Sequence, residues 1–127
     1  RAVDRPGVHV RELLDMIDGL GDHLGVLLDV GHCNISGTDP SLEAVVAGPK
    51  LWALHLQDNE GQPGQDQHLL PGQGTIDWER LLITLDDLDY RGLRTFEVGG
   101  GSSPADQVRR IGALRQAWQH HHRRTKA

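Results

Sequence analysis

Side chains that can bind a metal ion or transfer a proton close three apolar runs of this sequence. Asp29, His55 and Glu97 each stand at the end of such a run, and His32 follows Asp29 by three residues. Carboxylate and imidazole groups together suit a divalent ion such as Mn, Co, Zn or Mg. The same groups also serve as general acids and bases. Because one placement recurs three times, the sequence predicts a single shared site.

Each of these residues has a plainer interpretation when it is taken alone. Asp29 could cap a turn and leave His32 on the surface, since Asp is common in turns. His55 could be a core histidine whose ring nitrogens find ordinary partners. Glu97 could face solvent at a strand end, because burial of an unpaired carboxylate is costly. Carboxylates at the same level of two neighbouring strands favour a ligand role for His55.

A long polar loop, residues 59–74, contains a second group of candidates. Loops of this length without secondary structure are usually functional or disordered. Asp66 and His68 would point the same way on an extended stretch, as two ligands or as a ligand and its support. An ordinary polar loop is equally compatible with this pair. Gly99–Gly101 could cradle an anion such as phosphate before a helix, and His120–His122 is expected to face solvent.

The spacing of apolar residues predicts the elements that position these side chains. Helical spacing, with Asp or Ser caps before three of the segments, predicts four helices at about residues 9–20, 40–47, 77–88 and 104–119. Apolar runs predict strands, buried on both faces, at about residues 25–30, 51–57 and 92–98. In the second helix, Leu42, Val45 and Val46 are expected to face the core.

The alternation of helices and strands predicts an α/β fold. Such strands are parallel and joined by right-handed crossovers, in an open doubly wound sheet or in part of a barrel. No glycine-rich fingerprint follows the first strand, which disfavours a dinucleotide-binding fold. A complete (β/α)8 barrel takes about 250 residues, so 127 residues with three strands cannot close a barrel by themselves. Ligands bind at the carboxyl ends of strands in both folds, where the candidate residues stand.

Composition limits the partners and the compartment. The formal net charge of −5 disfavours nucleic-acid binding, because such proteins normally carry a basic excess. The single cysteine, Cys33, excludes an internal disulfide and fits a reducing, cytoplasmic compartment. No apolar run approaches the roughly 18 residues of a membrane span. The chain starts without Met or a signal peptide, so we expect a truncated or processed polypeptide that forms one domain, residues 1–127.

Four segments together resemble the xylose isomerase-like TIM barrel superfamily, which holds sugar isomerases and epimerases, inosose dehydratases and endonuclease IV-type enzymes. The segments are Leu28–His32, Leu54–Asn59, Asp66–Trp78 and Phe96–Glu97. The resemblance extends from about Val10 to Trp118. It implies that the chain is the C-terminal part of a TIM (β/α)8 barrel, with about three strands and four helices.

The resemblance also implies roles for the candidate residues. Asp29, His55 and Glu97 match three ligands of the family's divalent ion. His32 matches a residue that contacts substrate in the epimerases and binds a further metal in the endonucleases. Asp66 and His68 match a loop pair that holds an extra zinc in the endonucleases, although similar loops occur in isomerase-like members. A further glutamate ligand of the family would come from a strand before the first helix, which this sequence lacks.

By this resemblance, the parent function is metal-dependent isomerisation or epimerisation of a sugar or sugar phosphate. The ion, Mn, Co, Mg or Zn, would stabilise an enediolate as a Lewis acid. Glu97 would act as general base and acid at carbon, and His32 would hold a substrate hydroxyl.

Two other functions are compatible with the same residues. An endonuclease IV-type zinc phosphodiesterase would use His32, Asp66 and His68, but the acidic charge counts against it. A non-catalytic barrel fragment would need a partner chain, either the missing N-terminal half or a second copy. Because open sheet edges invite pairing, we expect the isolated chain to be oligomeric or poorly stable.

Overall fold

A three-stranded parallel sheet organises the chain in the computed structural model, which describes residues 6–99 and 103–125. The strands are β1 (Val26–Asp29), β2 (Leu51–Leu56) and β3 (Leu93–Phe96), in the spatial order β1-β2-β3. The helices are α1 (Val10–Ile17), α2 (Val30–Ser36), α3 (Pro40–Ala47), α4 (Trp78–Asp87) and α5 (Pro104–Thr125), with a 3-10 turn at Gly48–Lys50. The predicted α/β fold with parallel strands is confirmed.

Helix α2 is an element that the apolar pattern did not predict. Asp29 ends β1 and caps this helix, because its Oδ1 accepts a hydrogen bond of 2.9 Å from the backbone N–H of His32. The helix ends after seven residues at Gly37, whose φ of 74° lies in the left-handed region that suits glycine. So short a segment shows too few apolar repeats to be recognised by period.

The two faces of the sheet have different surroundings. Leu28 and Leu54 are buried in the core beneath the helices. Leu27, Ala53 and Leu93 are partners in register across the strands, and Leu27 and Leu93 are 46% and 71% exposed. The expectation of strands buried on both faces is therefore wrong for the described residues. In a closed barrel this row would face the interior, where strands from the rest of the barrel cover it.

Helix α3 buries its small residues rather than its large ones. Ser41, Ala44 and Ala47 face the core, whereas Leu42, Val45 and Val46 are exposed, contrary to the prediction. The helix lies against β1, α1 and α4 at once. Small side chains at a spacing of three let these neighbours approach closely, which apolar content could not reveal.

Helix α5 is anchored through aromatic contacts. The Trp118 ring stacks on Trp78 and on Phe96, with centroid separations of 5.5 Å in both pairs. The helix continues to Thr125 rather than ending near residue 119, and its Val108 is 70% exposed. Phe96 directly precedes Glu97, so these contacts hold the end of β3.

Candidate metal centre

Asp29, His55 and Glu97 converge at the carboxyl end of the sheet. His55 Nδ1 lies 3.5 Å from Asp29 Oδ2 and 3.1 Å from Glu97 Oε2. Among the described residues, these three offer ligand atoms within 4.8 Å of one another. Asp29 and His55 are partners in register, and Glu97 follows β3 on the same face. The structure thus brings together the three predicted residues, and their role as ligands stays a prediction.

The backbone positions each of these side chains. Asp29 Oδ1 is held by the His32 N–H as the cap of α2, which leaves Oδ2 directed to His55. The N–H of Glu97 donates to the carbonyl of Leu56 at 3.1 Å and so extends the β2–β3 pairing by one residue. The side chain of Asp29 is 9% exposed, whereas that of Glu97 is 45% exposed. The site is therefore closed on the Asp29 side and open at Glu97.

The donor set fits a divalent cation. His55 Nδ1 can donate one proton, which serves one of the two carboxylates at a time. A divalent cation between the three atoms would serve both carboxylates and accept the imidazole nitrogen as a ligand. Two carboxylate oxygens and one imidazole nitrogen suit Mn, Co, Zn or Mg. Three ligands also leave coordination positions for a substrate.

The predicted loop residues form a second cluster beside the first. His32 Nε2 and His68 Nε2 both lie 3.1 Å from Asp66 Oδ2. His68 Nδ1 also donates to the carbonyl of Glu97 at 2.8 Å, so the loop contacts the end of β3. Both imidazoles contact the same Asp66 oxygen. Within residues 6–99 and 103–125, His32, Asp66 and His68 are not a group whose three ligand atoms lie within 4.8 Å of one another. Their role as additional ligands stays a prediction.

The hydrogen bonds of this cluster shift two pKa values in opposite directions. Partial burial raises the pKa of Asp66, but hydrogen bonds from Gln57, His32 and His68 outweigh it and hold the pKa below its usual value. The hydrogen bond to the Glu97 carbonyl, followed by that to Asp66, raises the pKa of His68. His68 also has a φ of 51°, a conformation that non-glycine residues adopt at a cost. The surrounding contacts hold it there.

Three consecutive polar residues after β2 are fully buried, and composition alone did not identify them. Gln57, Asp58 and Asn59 are each 0% exposed. Asn59 Nδ2 donates to the Gly31 carbonyl, and Asn59 Oδ1 accepts from Asn34. The signal that could have found them is a polar triplet continuing a buried strand, since buried polar groups require partners.

Asp58 organises the second half of the long loop. Its Oδ1 accepts from the N–H groups of Asn59 and Ile76, at 2.9 and 3.3 Å. Its Oδ2 accepts from Gly72 N–H at 2.9 Å and from Trp78 Nε1 at 2.8 Å. One carboxylate thereby joins the loop to the start of α4. The loop of the second cluster is consequently fixed at both ends.

Two weaker sequence candidates fall largely outside the described residues. The glycine cradle predicted at Gly99–Gly101 lies mostly outside the described residues. His120 is exposed, and the side chains that follow it also lie outside the described part of the chain. No helix in residues 6–99 and 103–125 combines the length and apolar character needed to cross a membrane.

The sequence is similar to those of several known proteins. The profile of the family described as xylose isomerase-like TIM barrel matches residues 3–119. A D-psicose 3-epimerase of Enterocloster bolteae is 32% identical over 95 residues, covering 72% of this chain and 29% of that protein. “Probable endonuclease 4” of Thermoplasma acidophilum is 32% identical over 92 residues, covering 64% of this chain and 33% of that protein.

A solved structure shows the same fold. A D-tagatose 3-epimerase-like protein superposes with a TM-score of 0.78 at 23% identity, over 95% of this chain and 44% of that chain. The chain thus spans less than half of the length of each of these proteins. The predicted partial barrel is confirmed.

Proposed function

Because this chain belongs to the xylose isomerase-like TIM barrel family, we propose that it is part of a divalent-metal-dependent enzyme that isomerises or epimerises a sugar or sugar phosphate. The convergence of Asp29, His55 and Glu97 at the carboxyl ends of three parallel strands carries this proposal. That edge of the sheet is where enzymes of this architecture bind substrates. The similarity to a protein named as a D-psicose 3-epimerase supports a sugar as substrate.

The three converging residues would hold Mn, Co, Mg or Zn. The bound ion would polarise a carbonyl or hydroxyl oxygen of the sugar as a Lewis acid. Asp29 and His55, in neighbouring strands, would fix the position of that ion against the sheet. The uncovered row of Leu27, Ala53 and Leu93 lies below them on the same face and would form the apolar floor of the site.

Glu97 is the proposed proton-transfer residue. Its side chain is 45% exposed, and its carboxylate reaches the open side of the site. It would remove a proton from a sugar carbon through Oε1 or Oε2 and return it in the reverse step. Catalysis of this kind contributes about 10²–10⁴-fold to rate. His32, whose side chain is 56% exposed, would donate a hydrogen bond to a substrate hydroxyl.

The test is an activity assay of the complete parent protein with Glu97→Gln and Glu79→Gln. Both changes remove one carboxylate charge, but Glu79 is exposed in the first turn of α4 and is not one of the three converging residues. Ketohexoses and their phosphates are incubated with Mn²⁺ or Co²⁺ in D₂O. We expect the wild type to give epimerised product with deuterium on carbon. Turnover should fall by at least about 10²-fold in Glu97→Gln and stay at the wild-type rate in Glu79→Gln.

Two results would overturn the proposal. Full turnover in Glu97→Gln would remove the assigned role of this carboxylate. Full turnover after removal of divalent ions with EDTA would exclude the metal-dependent reaction. Equal amounts of correctly folded protein, checked by circular dichroism, are the control for both.

The second candidate function is zinc-dependent cleavage of nucleic-acid phosphodiesters. The contacts among His32, Asp66 and His68 favour it, as does the similarity to “Probable endonuclease 4”. The net charge of −5 counts against it, because phosphate contacts require basic groups. Cleavage of duplex DNA by the zinc-loaded parent, with no turnover of any sugar, would select this function. Neither activity, together with no metal binding, would leave a non-catalytic fragment.

A further inference from the structure

Gln57 lies between the two clusters of the site. It follows β2 directly and is 0% exposed. Its Nε2 lies 3.3 Å from Asp29 Oδ1 and 3.0 Å from Asp66 Oδ1. Carboxylate oxygens accept hydrogen bonds and donate none when ionised. The amide nitrogen, with two N–H groups, therefore faces both carboxylates and serves each with one donor.

The amide oxygen of Gln57 indicates why a glutamine occupies this position. In the part of the chain that the structure describes, Gln57 Oε1 is buried without a hydrogen-bond partner. It packs against Gly31, where an added Cβ would come within 2.3 Å of the Gln57 Cδ atom. A buried acceptor without a donor is unfavourable, and an apolar residue of the same shape would avoid that penalty. The two donors to Asp29 and Asp66 are the feature that an apolar residue could not supply.

These two donors complete a continuous series of contacts that begins at Asp29 and ends at Glu97. Asp29 Oδ1 accepts from Gln57 and from the His32 N–H, so Oδ2 stays directed to His55. Asp66 is joined by Gln57 on Oδ1 and by His68 on Oδ2. His68 then donates to the Glu97 carbonyl. The order of the loop and the geometry of the three-ligand group thereby depend on the same side chain.

We propose that Gln57 is a positioning residue that couples the group Asp29, His55 and Glu97 to the Asp66 loop, so that divalent-ion binding and loop order stabilise each other. The inference rests on the proposed metal-dependent function. The coupling acts in both directions, because two linked equilibria must influence each other equally.

The test compares Gln57→Met with Thr75→Val in this chain. Methionine keeps the length and burial of glutamine and removes both donors. Thr75 directly follows the loop and contacts Asn59 at its start and Asn34 in α2, but has no hydrogen bond to Asp29 or Asp66, so valine controls for general loosening. Mn²⁺, Co²⁺ and Zn²⁺ affinities are measured by calorimetry, and the Co²⁺ absorption spectrum reports the ligand geometry.

Amide hydrogen exchange is the second measurement. The N–H groups of Leu69 and Gly99 report the Asp66 side of the loop, because they pair with Asp58 and His68. The N–H groups of Gly72 and Thr75 report the half that Asp58 and Asn59 hold. In wild type, added Zn²⁺ should slow exchange at Leu69 and Gly99, a result that does not depend on any variant folding.

We expect Gln57→Met to weaken metal binding by about 10–100-fold, the usual effect of removing a partner of a ligand, and to alter the Co²⁺ spectrum. Exchange should accelerate at Gly99 and Leu69 and stay unchanged at Gly72. Thr75→Val should retain wild-type affinity. Two results would overturn the coupling. The first is wild-type metal affinity and wild-type exchange in Gln57→Met. The second is a wild type that binds metal but whose exchange at Gly99 does not respond to Zn²⁺.

Failure of the proposed function would be visible separately. If wild type binds no divalent ion, metal dependence fails for this chain, and exchange alone decides the role of Gln57. Selective acceleration at Leu69 and Gly99 in Gln57→Met would then support Gln57 as the residue that positions the loop. Unchanged exchange would refute that as well.

Discussion

Replacement of Asp58 by asparagine tests whether one buried carboxylate holds the loop to α4. The carboxylate accepts four hydrogen bonds, two on each oxygen. Asparagine keeps the shape but has a single acceptor oxygen and an NH₂ group. Two of the four donors must then lose their acceptor inside a site that is 0% exposed.

The expected cost follows from that count. A hydrogen bond to a charged group contributes about 1.5–3 kcal/mol, so two lost bonds predict a destabilisation of about 3–6 kcal/mol. Complete native proteins have free energies of unfolding of about 5–15 kcal/mol. Asp58→Asn should therefore remove a large part of the stability, or unfold the chain at room temperature.

Asp77→Asn is the matched control. Asp77 stands at the same junction and also loses one negative charge, but it is exposed and caps α4 through a single bond to the Arg80 N–H. Asparagine caps helices as well as aspartate does, so a change under about 0.5 kcal/mol is expected. Both variants are compared by urea unfolding, followed by circular dichroism and by Trp fluorescence.

Equal stability of the two variants would contradict this reasoning. If the unfolding midpoints of Asp58→Asn and Asp77→Asn coincide, the four-bond carboxylate does not hold this junction. Faster amide exchange at Gly72 and Ile76 in Asp58→Asn would locate the loss of stability at the predicted donors.

Three further predictions concern the site, the thiol and the exposed sheet. Asp29→Ala and His55→Ala should each abolish stoichiometric Mn²⁺ binding in calorimetry, since each removes one of three converging ligand atoms; binding at wild-type affinity in either variant would contradict the site. Burial raises the pKa of Cys33 from 9.0 to about 12, so the folded thiol should resist labelling by a disulfide reagent at pH 8 and react in urea. Because the thiol ionises at lower pH in the unfolded chain than in the folded one, the free energy of unfolding should fall as pH rises from about 9 towards 12. Rapid labelling of the native protein at pH 8 would show instead that the thiol is accessible. The uncovered sheet face and edges should make the isolated chain oligomeric or poorly stable, and a monomer in sedimentation with a cooperative thermal melt would refute this.

Much of the candidate site could be predicted because parallel strands impose a simple rule. All carboxyl ends of such strands lie at one edge of the sheet, so residues that end three apolar runs must meet there. Asp29, His55 and Glu97 needed no knowledge of side-chain packing to be grouped. The alternation of elements likewise determined the α/β class, since the period of apolar residues reflects backbone geometry.

Other features depended on contacts between distant parts of the chain. The buried face of α3 was decided by three neighbours that require small residues, so Ala44 and Ala47 are inside while Val45 is exposed. The exposed face of the sheet arises because, in the described residues, helices cover the opposite face. Neither fact follows from the apolar content of a segment, because burial depends on what the rest of the molecule places against it.

The sequence by itself determined which strands exist, their parallel arrangement and the meeting of three ligand-type residues at one edge. Only the tertiary structure decided how those residues are held. Gln57, Asp58 and Asn59 are adjacent in sequence, yet they bind the site carboxylates, the start of α4 and the turn into α2, respectively. The physical reason is that a hydrogen bond requires a partner at about 3 Å, and the partner of a buried polar side chain is set by the folded path of the chain.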